Sequence, residues 1–215
     1  SLYNVEQLEI LRGPNALLFG RGGTGGLINR VSKKAEIGEA FGSFDFGADS
    51  FGATDLAVDA NFTTSDTTAV RLNLHTDQLA NHRDFYEGER YGINPTFKIV
   101  AGDTIVDLSY EYADHERFID RGIPTVNNRP VESLKDVVFG VKGLNLQTLE
   151  ASILRANVAH DYSDNGKFNM SFTSSDFKKM YKNLYAAAYD ASANTVKLDG
   201  YLDPTERQNM ILNAN

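Results

Sequence analysis

The chain has 215 residues, 21 Lys and Arg against 29 Asp and Glu for a formal charge of -8, 41% apolar residues, and no Cys or Trp. This removes disulfides, thiolate zinc sites, iron–sulfur clusters and cysteine nucleophiles, and without a basic block it argues against a nucleic-acid partner, which needs a positive stripe to displace phosphate counterions. The longest apolar run, about Leu184–Tyr189, falls far short of the roughly 20 residues of a membrane helix, whereas a membrane β-barrel needs only roughly 10 alternating residues per strand.

In chain order, Val5–Leu11 alternates like a strand and Arg12-Gly13-Pro14 breaks it. Asn15–Phe19 suits one helical turn capped by Asn15, the cluster Gly20–Gly26 suits tight turns, and Leu27–Val31 reads as a second short strand before Ser32-Lys33-Lys34. This α+β stretch is too small to bury a core of its own. From Glu39 onward the period is two, the pattern of antiparallel strands. Phe44 and Phe46, then Leu56, Val58 and Phe62, then Val70, Leu72 and Leu74 fall on one face, with Asp45, Asp59, Arg71 and Asn73 opposite. The same alternation returns in Tyr91, Ile93, Phe97 and Ile99, in Val106, Leu108, Tyr110 and Tyr112, in Leu154, Ala156 and Val158, in Phe168, Met170 and Phe172, and in Met210 and Leu212.

Connection lengths alternate too. Turns near residues 66, 102 and 164 take about four residues, while the others, about 81–90, 114–147 and 177–206, exceed usual loop lengths. Short turns on one rim and long loops on the other is how outer-membrane barrels are built; a soluble sandwich would rarely place every long connection at one end. An eight-stranded barrel is filled by its own side chains, so an N-terminal segment lodged inside requires a larger one. The chain starts at Ser1 without an initiator Met or signal peptide and stops at Asn215 inside a strand pattern, as expected of a piece of a longer protein.

The segment Val5–Gly20, with Arg12-Gly13-Pro14, followed by Gly25-Gly26-Leu27-Ile28-Asn29-Arg30-Val31-Ser32-Lys33-Lys34, resembles the end of the plug domain of TonB-dependent outer-membrane receptors. Arg117–Pro124 and Asp203–Asn209 look like loop and strand signatures of that family's siderophore branch, especially its receptors for ferric catecholates. The resemblance implies an all-β fold: a partial transmembrane antiparallel β-barrel, about seven or eight of about 22 strands, preceded by the C-terminal part of an α+β plug. Residues 1–35 would be plug and residues 36–215 barrel wall with long extracellular loops. The implied activity is TonB-dependent import of a ferric siderophore across the outer membrane of a Gram-negative bacterium, without a cofactor and without enzymatic chemistry. TonB would engage an N-terminal segment outside this chain, and Leu56, Val58, Leu72, Leu74, Leu108 and Tyr110 would face lipid. Plug arginines Arg12, Arg21 and Arg30 would pair with glutamates of the barrel wall, Arg12 foremost, its own partners lying beyond Asn215; a guanidinium cannot discharge and needs carboxylates in such an interior.

Phe177, Tyr181, Tyr185 and Tyr189 recur every four residues among Lys178, Lys179 and Lys182, which fits either a helix stripe or a hairpin ladder. Arg83, Phe85, Tyr86, Arg117, Phe118, Arg121, Tyr181 and Tyr185 are the candidate ligand contacts, cations and rings suited to an anionic aromatic chelate; solvated loop decoration is the plainer alternative for each. Gly20–Gly25 satisfies G-x-G-x-x-G, but a strand rather than a helix follows, against a dinucleotide site. Asp161–Gly166 imitates the start of a calcium loop, yet its twelfth position is Phe172. The four histidines form no i, i+4 pair and no nucleophile elbow occurs. Importers of haem, vitamin B12 or glycans, and a soluble all-β binding module, are the competing classes.

Overall fold

The computed structural model describes residues 2–12 and 26–215. The expected helical turn at Asn15–Phe19, most of the glycine cluster and Arg21 lie outside the described residues. Strands β1 (Val5–Leu11) and β2 (Leu27–Ser32) form a separate antiparallel pair, Leu8 opposite Arg30 and Ile10 opposite Ile28. Gly26 enters β2 at φ 124°, and a Cβ there would lie 2.8 Å from the Leu11 carbonyl oxygen. Only glycine closes the pair at this point.

Eight further strands make one antiparallel sheet: β3 (Phe41–Ala48), β4 (Thr54–Ser65), β5 (Thr68–Ala80), β6 (Glu87–Ala101), β7 (Thr104–Phe118), β10 (Leu146–Ser163), β11 (Gly166–Asp190) and β12 (Thr195–Ala214). They neighbour one another in chain order. The minute hairpin β8 (Thr125–Val126) and β9 (Arg129–Pro130) and a 3-10 turn at Glu132–Leu134 decorate the β7–β10 connection. Among the described residues there is no α-helix, and none is long and apolar enough to cross a membrane.

The register makes the sheet inside-out. One cross-strand row reads Phe62, Val70, Phe97, Leu108, Ala156, Phe172, Leu212. The adjoining row reads Asn61, Arg71, Thr96, Ser109, Arg155, Thr173. The apolar face is open, with Phe44 at 74% and Phe46 at 67% exposed, whereas Asn61, Asn73 and Asn94 on the polar face are 0% exposed. Buried amides survive only when bonded. Asn61 accepts from Glu36 N and donates to the Glu36 and Glu39 carbonyls, each at 2.8–3.0 Å, and Asn94 donates to Tyr110 O and Ser109 Oγ while accepting from Asn4. The segment carrying β1, β2 and residues 33–36 covers this polar face.

The short turns expected near residues 66, 102 and 164 join β4 to β5, β6 to β7 and β10 to β11. The long connections differ from expectation. The first shrinks to residues 81–86, and the β7–β10 connection runs over residues 119–145 because β7 continues to Phe118. Residues 177–206 are not an irregular loop: β11 and β12 pair from Tyr181 opposite Asp203 out to Asp190 opposite Thr195, so the Tyr repeat belongs to a hairpin ladder. Each strand supplies the other's backbone partners, which removes any need for a loop.

Candidate functional site

The 25 residues of β11 and 20 of β12 exceed the roughly 9–11 that a strand needs to cross a bilayer, and their hairpin turn lies at the same end of the sheet as the 81–86 and 119–145 connections. On its polar face Tyr181, Asn183 and Tyr185 alternate along β11, with Tyr201 opposite Asn183 and Asp199 opposite Tyr185. The segment leaving β7 brings Arg121 to them. Its guanidinium carbon sits 4.8 Å from the Tyr185 ring centroid and 5.9 Å from that of Tyr201. It donates to Asn183 Oδ1 at 3.3 Å and to Tyr201 Oη at 3.2 Å. Tyr181 and Tyr201 stack at 5.8 Å with an interplanar angle of 18°.

One row below, Arg117, Gln147, Tyr181 and Asp203 stand side by side across four strands. Arg117 donates from Nε and Nη2 to Gln147 Oε1 at 2.9 and 2.7 Å, and Lys179 reaches Asp203 at 3.7 Å. Among the described residues neither Arg117 nor Arg121 is paired with a carboxylate. One guanidinium against two phenol rings, with a second guanidinium one row below, suits an anion with a flat π surface, held by charge, cation–π contact and stacking. Among the described residues no group of three or more His, Cys, Asp or Glu could hold a metal ion.

Of the sequence candidates, Arg117, Arg121, Tyr181 and Tyr185 come together. Arg83 does not join them: Nε meets Asp120 Oδ2 at 2.6 Å, Nη2 donates to Val137 O at 2.9 Å and Nη1 to Lys135 O, so the guanidinium is spent on holding the 119–145 connection. Phe118 is 5% exposed, with its ring edge against Gly140, and belongs to the packing under that connection. Phe85, half-exposed at φ 62°, and half-buried Tyr86 stay on the 81–86 loop. Sequence reasoning missed Tyr201, Asn183 and Gln147. Tyr201 was hidden because residues 177–206 read as one loop, and only the strand register reveals it.

A second constellation ties the N-terminal segment to the wall. Arg30 on β2 donates to Asn4 Oδ1 and lies 3.5 Å from Glu111 Oε1 on β7, whose Oε2 meets Arg155 at 3.1 Å. Lys33 pairs with Asp59 and Lys34 with Asp107, both at 2.9 Å. Arg71 forks onto Asp59, reaches Glu36 at 2.9 Å and lies 3.5 Å from Glu6. Arg12 is exposed at the end of β1, and Arg21 lies outside the described residues. Among the described residues Arg30 has its carboxylate neighbour, Glu111, within the chain. Tyr3 stacks on His75 at 5.3 Å, and a Cβ at Gly92 would lie 2.7 Å from the Tyr3 hydroxyl, so glycine provides the notch. Burial, reinforced by the Glu111 carboxylate, pushes the Tyr3 phenol up to about 12.

No family model matches the chain. A probable TonB-dependent siderophore receptor, PiuA, of Acinetobacter baumannii is 28% identical over 173 residues, 76% of this chain and 23% of its own length. The catecholate siderophore receptor Fiu of Escherichia coli is 33% identical over 132 residues, 58% of this chain and 16% of its own length. The crystal structure of the ferric-catecholate import receptor Fiu from K12 E. coli superposes with a TM-score of 0.82 at 23% identity, covering 98% of this chain and 32% of that one. The chain therefore spans less than a third of the length of these proteins, and its eight strands have the architecture of a partial receptor barrel.

Proposed function

Starting from a chain that is a homologue of TonB-dependent siderophore receptors and shares the strand architecture of part of their barrel, we propose that it forms the end of the plug, residues 1–35, and the first strands of the barrel wall, residues 36–215, of an outer-membrane importer of a ferric siderophore, of catecholate type. The apolar face contacts outer-membrane lipid, and the polar face lines a lumen closed by the plug. TonB acts on a segment N-terminal to this stretch and draws the plug aside with energy from the proton-motive force; no bond of the chelate is broken. Arg121, Tyr181, Tyr185 and Tyr201, with Arg117 below them, form part of the mouth that holds the anionic chelate. Arg12, Arg21 and Arg30 belong to the contact between plug and wall.

The observation that carries this reading is the exposed Arg121 guanidinium lying 4.8 and 5.9 Å from two tyrosine ring centroids on the polar face of the β11–β12 hairpin, in a chain one of whose relatives is a catecholate siderophore receptor. The test is radioiron uptake by cells whose only ferric-catecholate route is the gene carrying this chain. Uptake is expected to stop without TonB or the proton-motive force. Arg117→Ala with Arg121→Ala is expected to weaken binding of a ferric catecholate about 30-fold, from two cation contacts of about 1 kcal/mol each. Unchanged affinity in the double variant, or uptake indifferent to TonB, overturns it.

A further inference from the structure

The β7–β10 connection is long, and a long loop would leave a guanidinium at its start free to wander. Arg121 is nevertheless held from both sides. The side chain of Asn145, 1% exposed, uses its whole hydrogen-bonding capacity. Oδ1 accepts from Val141 N at 3.1 Å and Leu184 N at 3.0 Å, while Nδ2 donates to Ile119 O at 2.9 Å and Leu184 O at 2.8 Å. Toward Leu184 the amide therefore acts as an extra peptide group, bonding both N–H and C=O as a neighbouring strand would. It stands one residue before Leu146, where the β10 ladder to β7 and β11 begins.

Ile119 precedes Arg121 by two residues and Leu184 immediately precedes Tyr185, so this one amide joins the backbone that carries the cation to the backbone that carries its ring. On the far side of Ile119, Asp120 accepts from Arg83 Nε at 2.6 Å and from Gly122 N at 2.9 Å. We infer that Asn145, with the Arg83–Asp120 pair as its counterpart, is a positioning residue that sets Arg121 against Tyr185 before the ligand arrives. The inference rests on the reading of that cluster as the chelate-binding mouth and extends it to residues that never touch the chelate. A preset guanidinium loses less freedom on binding, which is how preorganisation raises affinity.

The test uses Asn145→Asp, which keeps the size and both acceptor contacts but removes the two donors, in the full-length receptor purified in detergent. Hydrogen exchange without ligand is expected to accelerate at residues 119–124. Affinity for ferric tris(dihydroxybenzoate) is expected to fall about tenfold, the order set by one long side chain losing its preset conformation, with affinity for a neutral ferric trihydroxamate unchanged. In an Arg121→Ala background the same substitution is expected to have no further effect, because the two act as one unit. Asp120→Asn, which weakens the hold from the other side, gives the same pattern and serves should Asn145→Asp fail to fold. Equal losses with and without Arg121 overturn the inference while sparing the mouth. Arg121→Ala without effect on affinity overturns the reading of the mouth and the inference with it.

Discussion

Arg71 shows what a side chain on the buried polar face has to accomplish. It is 4% exposed, forks onto Asp59 with two contacts of 2.8 Å, donates to Glu36 and to the Lys34 carbonyl, and lies 5.0 Å over the Phe41 ring. Removing one member of such a buried pair leaves the other charge uncompensated. Arg71→Met is expected to destabilise by about 3 kcal/mol, the lower end for a buried pair, because Lys33 still reaches Asp59 at 2.9 Å. Arg71→Lys is expected to recover little, since an ammonium cannot reproduce the fork. The midpoint of denaturant unfolding of the full-length receptor checks both, and a wild-type midpoint in Arg71→Met would refute the account. In the sequence Arg71 is one polar member of an alternating strand; its partners lie on β4 and in residues 34–36, and only folding brings them to it.

Among the elements, the docking of the N-terminal segment depends on Tyr3 fitting the notch at Gly92. The phenol is raised to about 12 in the folded chain, against about 10 for an unperturbed tyrosine. Between those values the unfolded chain has already lost the proton that the folded chain keeps, so the folded state binds more protons and stability falls as pH rises. Tyr3→Phe is expected to flatten the decline in unfolding midpoint between about pH 10 and 12; parallel slopes in the two proteins would count against it. The β11–β12 hairpin teaches a complementary lesson. Its four-residue Tyr spacing was legible, but a spacing of four suits helix and strand alike, and the choice fell to β12, whose backbone groups complete the ladder from Asp190 back to Met170.

For the whole molecule, the inverted pattern of an open apolar face and a buried polar one is what supports the proposed lipid contact on the outside. Phe97, 42% exposed, lies within the outward run Tyr91, Ile93, Phe97 and Ile99. Phe97→Arg is expected to cost about 2–4 kcal/mol, the penalty for a cation near the bilayer midplane. The readout is the fraction of receptor refolded into lipid vesicles that runs as the compact form on an unheated gel. A fraction equal to that of the wild type would mean that this face meets water or protein instead.

Alternation alone determined which residues of each strand share a face, and the short turns near residues 66, 102 and 164 determined that those strands are antiparallel neighbours. Both follow from the two-residue period of an extended chain, a local property that any strand writes into its sequence. The glycines and basic residues of positions 5–34 likewise carried the resemblance to a plug without help from coordinates. Which charges meet was decided only by the tertiary structure. Arg30 reaches Glu111, Arg83 serves Asp120 and not the Arg121 cluster, and Arg121 rests on Tyr185 while Asn145 ties Ile119 to Leu184. Those pairs are separated by tens of residues, and their meeting depends on the register of several strands at once, which no local pattern encodes.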